Sequence, residues 1–301
     1  MNFRAPFIVS LLLVAAAHGR AAEAAFSAKK VLFFSRSADF EHSVISYRNG
    51  RPSLAEKVLA DLGEHHVITF TFSKDGSLFT PEYLAGFDAF VFYTTGDLTT
   101  DGGDRQPAMT PAGKAAFLQA ISDGKGFVGI HSASDTFHSP GGEAGNAPSR
   151  FRNDGEGASA YVKMLGGEFV RHEAQQPAHL VVADPKFPGA GAVPADFRIT
   201  EEWYAQKNFA SDLHVILVQD TAGMTGAAYQ RPPYPATWAR LQGKGRVFYT
   251  NMGHRDDVWT NPVFQAVLLG GIEWALGRFD ADLTPNMGKV APQANVLAPS
   301  R

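Results

Sequence analysis

The chain of 301 residues contains no cysteine. That excludes thiolate nucleophiles, disulfides, cysteine-ligated zinc and iron–sulfur clusters. A strong charge of either sign is missing too. The formal net charge of −3 at pH 7 is too close to neutral to point to nucleic acid or an anionic membrane as a partner. No Gly-x-Gly-x-x-Gly follows the first strand-like run and no Gly-Lys-Ser/Thr loop occurs, which argues against nucleotide binding. Gly124-Lys125-Gly126 and Gly243-Lys244-Gly245 precede strand-like runs and read as tight turns. Only one apolar run is long, from Phe7 to Ala17 with Ser10 inside it. Arg4 stands before it and Ala22-Glu23-Ala24 after it, the pattern of an export signal over residues 1–24 that is cleaved ahead of Ala25. The run is too short for a membrane span. The expected mature protein is exported, periplasmic or extracellular, with no membrane span after signal cleavage.

What is present describes an ordinary globule, 45% hydrophobic and 19% charged, long enough to bury a sizeable core. Strand and helix patterns alternate through the first half. Val31-Leu32-Phe33-Phe34 has the continuous apolarity of a strand covered on both faces. Ser53 and Glu56 form a capping box ahead of Leu54, Val58, Leu59 and Leu62. Val67 to Phe72 reads as a second strand, and Asp88 to Tyr93 as a third. Thr110-Pro111 starts a helix with Phe117, Leu118 and Ile121 on its buried side, and Phe127 to Ile130 is the fourth strand. This order implies a doubly wound α/β fold with a mostly parallel sheet. A long polar, glycine-rich segment, Ser132 to Gly157, has the length of a lid, a binding loop or disorder. Extra strands follow over Leu180 to Ala183, His214 to Gln219, Ala236 to Leu241 and Arg246 to Asn251. Asn261-Pro262 opens a closing helix. One domain is expected over residues 25–280, with a Pro/Asn/Ala-rich tail, 281–301, that reads as poorly ordered.

The histidines sort by position. His18 falls in the signal, and His65, His66, His179 and His214 sit at strand or helix ends as surface or structural residues. His42, His131 and His254 each come just after a strand, where open α/β sheets bind ligands. His172 is a fourth member of this set, and His138 lies in the long loop. Gly129-Ile130-His131-Ser132-Ala133 has the outline of a nucleophile elbow with an imidazole where the nucleophile would stand. Catalysis then calls on His131 and His254 as acid and base, with Asp256 or Glu202 tuning them. Neighbouring Glu201 and Glu202 point to opposite faces of a strand, so at most one enters the site. Asp135, Glu201, His42 and His172 are candidates for substrate binding. Trp203, Tyr204, Trp238 and Tyr249 are candidate sugar-stacking walls, against their commoner use in cores. Ser132 is the one hydroxyl beside the turn that would suit a serine hydrolase.

Taken in order, these pieces resemble a known family. Val31-Leu32-Phe33-Phe34-Ser35 with Phe40-Glu41-His42-Ser43, Gly129 through Phe137, Gly166-Gly167-Glu168-Phe169 with His172, Glu201-Glu202-Trp203-Tyr204, Ala236-Thr237-Trp238 and Gly245 through His254 resemble the trehalose-utilisation (ThuA-like) family across about residues 29–278. That resemblance implies a flavodoxin-like fold close to class I glutamine amidotransferases. His131 stands at the position of their cysteine, so no glutaminase thioester is expected. It also implies sugar catabolism, particularly through 3-keto glycosides. The chain departs from the family pattern at Asp39, in place of glycine, and at Glu201, in place of aspartate. The resulting expectation is an enzyme, lyase or hydrolase, acting on an oxidised small-molecule carbohydrate. The alternative is a non-catalytic sugar-binding or accessory protein. The cofactor is undetermined, and a divalent metal is an option, with His42, His131, His172 and His254 as candidate ligands.

Overall fold

The computed structural model describes residues 28–141 and 148–299. Residues 1–24, read from the sequence as an export signal, lie outside the described residues. Eleven strands occur among them: β1 (Lys29–Phe34), β2 (Ile68–Ser73), β3 (Ala89–Phe92), β4 (Gly126–Ile130), β5 (Glu168–Arg171), β6 (Gln176–Val182), β7 (Arg198–Glu201), β8 (Ala205–Lys207), β9 (His214–Asp220), β10 (Tyr234–Gln242) and β11 (Gly245–Thr250). The helices are α1 (Leu54–His66), α2 (Pro81–Ala85), α3 (Pro111–Ser122), α4 (Ala160–Leu165), α5 (Asp256–Trp259), α6 (Pro262–Ala275) and α7 (Met287–Val290), with short 3-10 turns between elements.

Nine strands form one sheet in the order β2-β1-β3-β4-β11-β10-β9-β6-β7. The first five run parallel, and the pairings from β11 onward are antiparallel. The chain steps outward from β1 to β2 and then crosses back to β3. The order therefore reverses between β1 and β3, and a crevice opens at the carboxyl ends of the strands there. Alternate residues of one strand feed opposite layers. Val31 and Phe33 join the core beneath α1 and α6, while Leu32 and Phe34 join the core beneath α3 and α4. The doubly wound reading holds, as do the capping box at Ser53 and the Thr110-Pro111 helix start.

Two expectations are corrected. The long segment after β4 is not a free lid throughout. His131–Asp135 forms a buried 3-10 turn, and Phe137, His138 and Ser139 are buried behind it. Three acceptors or donors hold that stretch: Glu168, the Phe137 carbonyl bonded to Ser159, and the Ala133 carbonyl bonded to Tyr161. The tail is also packed rather than loose as far as residue 299. Asn286 bonds both the N–H and the carbonyl of Val215, and Asn295 does the same with Phe209. Ala291 and Ala294 are buried against the α3–α4 side. Composition alone gives no sign of this, because the anchors are polar side chains that complete backbone hydrogen bonds of residues at and beside β9.

Candidate functional site

Three loops bring the histidines together. His131 stands directly after β4 with φ +45, a left-handed conformation that a residue with a Cβ adopts at a cost. The turn aims its ring across the sheet edge, and Tyr249 holds the backbone there by donating from its hydroxyl to the His131 carbonyl at 2.7 Å. His254 follows β11 by way of Gly253, which has φ +124 and whose Cβ would sit 2.8 Å from Ile130 Cγ2. Glycine is required at that point for the loop to lie on the end of β4. His42 precedes a 3-10 turn after β1 and is buried. The ring centroids of His42, His131 and His254 lie 5.1, 5.1 and 5.2 Å apart.

Glu202 closes the group. Its Oε2 is 3.1 Å from His254 Nδ1 and 3.7 Å from His131 Nε2, and its Oε1 is 3.4 Å from His172 Nδ1. Burial by itself would raise the Glu202 carboxyl. The His131 and His254 rings outweigh it and hold the group well below the usual carboxylate range. His42 is driven the other way, with burial first and the neighbouring His131 and His254 rings next, so it is neutral at pH 7. One ligand atom each from His42, His131, Glu202 and His254 lies within 4.8 Å of the others, the only such four-residue set among the described residues.

The adjacent carboxylates divide their work. Glu201 is fully buried and accepts from the N–H groups of Gly253 at 2.7 Å, His254 at 2.8 Å and Glu202 at 2.9 Å. It anchors the loop bearing His254 and does not bind substrate, which corrects that assignment. Asp256 is corrected as well. It is exposed at the start of α5, and Glu202 occupies the orienting role foreseen for it. Trp203 and Trp238 are fully buried, with indole N–H groups on the carbonyls of Gln176 and Leu165. They are core residues, not stacking walls. Tyr204 is buried as well, but it packs within the histidine cluster. Its ring lies 4.1 Å from that of His131, and its hydroxyl is 3.3 Å from His42 Nε2. His172 stands at the rim, half-exposed and stacked on Tyr204.

Asp135 and His138 belong to a second network. His138 bonds Asp135 at 2.8 Å through Nε2 and Glu168 at 2.9 Å through Nδ1. Burial alone would lower the ring, and these two carboxylates lift it to about 9. His138 is therefore a charged structural residue and not part of a lid. Burial, with the nearby charge of Asp135, raises the carboxyl of Asp39. Ser132 is buried, and its Oγ has no hydrogen-bond partner among the described residues, histidines included. That arrangement lacks the nucleophile–base contact of a serine hydrolase.

Sequence reasoning missed two supports. Asn251 accepts from His131 Nδ1 through its backbone carbonyl at 3.0 Å, and its side chain brackets the Tyr204 backbone. Tyr93 donates to the Gly253 carbonyl at 3.1 Å and packs edge-on to His42. Both stand at the carboxyl ends of strands, the same positional signal that singled out the histidines.

The sequence profile of a family described as ThuA, trehalose utilisation, matches residues 30–275. Among solved structures, a ThuA-like protein from Bacteroides uniformis is 20% identical with a TM-score of 0.59, over 83% of this chain and 92% of that one. A ThuA-like protein from Parabacteroides merdae is 18% identical with a TM-score of 0.56, over 85% and 93%. The cytoplasmic protein STM3548 from Salmonella typhimurium is 10% identical with a TM-score of 0.51, over 82% and 98%. At these identities the likeness concerns the fold. No curated protein sequence matches the chain.

Proposed function

The chain belongs to the trehalose-utilisation (ThuA) family, and from that premise we propose that it is an exported carbohydrate-catabolic enzyme acting on oxidised, 3-keto glycosides. Family membership carries the carbohydrate-related role. The oxidised substrate and the chemistry are inferred from the site. The observation that carries the inference is the convergence of His42, His131, His254 and Glu202 at the sheet edge, with no thiol in the chain and with the nearby hydroxyl of Ser132 unconnected to any base.

Such a centre suits proton transfer rather than acyl-enzyme chemistry. A carbonyl at C3 acidifies the C2–H bond. A base removes that proton, the electron pair forms an enolate, and the enolate expels the aglycone oxygen from C1, which takes a proton as it leaves. Water then adds across the resulting C1–C2 double bond, so the net change is hydrolysis. The reaction needs a base, an acid and stabilisation of the enolate. His254 and Glu202, with side-chain exposures of 16% and 13%, reach the crevice, whereas the side chain of His131 is fully buried beneath them. Proton transfer is assigned to His254 with Glu202 beside it, and His131 supports the pair from below. Export is part of the same proposal and rests on the apolar N-terminal run and the Ala22-Glu23-Ala24 pattern.

The test is product analysis with native and 3-keto glycosides. His131→Ala is expected to lower turnover of the keto substrate by ~100-fold, the scale of misplacing an acid–base pair by about an ångström once the ring beneath His254 and Glu202 is lost, with the fold intact by circular dichroism. Retained turnover would remove His131 from the centre. Saturable sugar binding with no product from any native or oxidised glycoside would replace the enzyme by an accessory binding protein.

A further inference from the structure

Three buried ring nitrogens of the central cluster, His42 Nδ1, His131 Nε2 and His254 Nδ1, have no hydrogen-bond partner among the described residues. Each such atom costs about 1–3 kcal/mol in a folded protein, and three of them in adjoining rings call for a shared partner. The tautomers agree with one. His131 Nδ1 lies 3.0 Å from the Asn251 carbonyl, so it carries the proton and leaves the Nε2 lone pair free. A backbone carbonyl holding the far nitrogen is the arrangement that orients metal-binding histidines. His42 engages Tyr204 through Nε2, which leaves Nδ1 uncommitted. Glu202 Oε2 approaches His254 Nδ1 to 3.1 Å without the alignment of a hydrogen bond. By contrast, both ring nitrogens of His138 are committed to carboxylates at 2.8 and 2.9 Å, and that cluster offers no free imidazole.

We infer that His42, His131, His254 and Glu202 bind one divalent first-row transition-metal ion. Three imidazoles and one carboxylate suit Zn(II), Co(II) or Fe(II), whereas Mg(II) and Ca(II) take oxygen ligands. Bonds of about 2.1 Å at tetrahedral angles place donors ~3.4 Å apart. The present spread, up to 4.8 Å, therefore closes by about an ångström when the ion binds. The partly exposed His254 and Glu202 form the side facing the crevice, where an oxygen ligand has room to join. Bound there, the ion would supply stabilisation of the enolate oxygen, and His172, the rim ring 3.4 Å from Glu202 and outside the donor set, would take over the proton transfer assigned to His254 in the metal-free centre. The metal site itself does not depend on the identity of the substrate.

Purified full-length protein, stripped with a chelator and titrated separately with Zn(II) and Co(II), tests the assignment. One equivalent of either ion per chain is expected, with visible cobalt absorption bands and a raised melting temperature. Glu202→Gln and His42→Ala are each expected to weaken binding at least ~10-fold while the metal-free variants keep the wild-type circular dichroism. Glu202→Gln is nearly isosteric, so it serves as the measurement if His42→Ala fails to fold. Absence of uptake by the folded protein overturns the inference, as does one equivalent bound with unchanged affinity in Glu202→Gln. Stoichiometric, Glu202-dependent metal binding without any glycoside turnover supports it and overturns the proposed function instead.

Discussion

Glu201 and Glu202 illustrate how adjacent residues of the same type acquire different chemistry. Glu202 lies among imidazoles and stays ionised, while burial raises the carboxyl of Glu201 despite its three backbone N–H donors. Glu201→Gln replaces one acceptor oxygen with an amide that cannot accept, leaving at least one buried N–H unpaired. The expected cost is about 1–3 kcal/mol, read as a lower urea midpoint. Turnover is also expected to fall, because the backbone of His254 loses its anchor. Unchanged stability would mean that the loop is held elsewhere. The carboxylate pair shows how far local pattern reaches. Alternation along the chain indicated that at most one of them would enter the site, but not which. The choice is made by the Gly253–His254 backbone folding over β7, a contact between residues about fifty positions apart.

At the scale of elements, the segment after β4 is fastened to β5 and β8 by a buried charge network. His138 contacts Asp135 and Glu168. Glu168 also accepts from Ser139 and Asn208, and Lys207 lies between Glu168 and Asp154. Burial alone would raise Glu168, yet His138 and Ser139 hold it down at about 2. His138 is raised from 6.5 to about 9. The stabilisation from His138 is fully present below pH 6.5 and is lost as pH rises through 9. That from Glu168 is present above pH 4.5 and is lost as pH falls toward 2. Both shifts describe largely one interaction, worth on the order of 3 kcal/mol. The network therefore contributes most between pH 4.5 and 6.5. Thermal melts of His138→Gln should show lower stability at pH 6 and a flatter decline from pH 6.5 to 9 than the wild type. A parallel decline in both proteins would assign the pH dependence to other groups. Neither β5 nor β8 was legible in the sequence. Both are short, and β8 buries Gln206 and Lys207, polar residues that propensity places outside a core. Only the partners supplied from other segments make that burial affordable.

At the scale of the molecule, the tail closes over the start of β9 and the turn just past β8. Arg231 bonds the Ala294 carbonyl, and Asn286 and Asn295 add four backbone contacts. Truncation after Pro285 is expected to lower stability by about 5 kcal/mol, at roughly 1 kcal/mol for each of the five hydrogen bonds lost. The parallel half should remain folded, and a melting curve with retained circular dichroism checks both statements. Within the molecule as a whole, the sequence by itself determined the parallel half: β1 to β4, α1, α3, and the placement of His42, His131 and His254 just past strand ends. These features depend on apolar runs, caps and turns, whose physics is local. Tertiary structure alone decided that Glu202 rather than Asp256 joins the histidines, that Trp203 and Trp238 are core, and that the tail docks. Each of those outcomes depends on which distant segments meet and which buried polar atoms they satisfy, and no local pattern encodes that. The elbow-like turn at His131 lies between the two. Its position could be read from the residues, but the free Nε2 that gives it a chemical role exists only because the Asn251 carbonyl arrives from β11 to hold the other nitrogen.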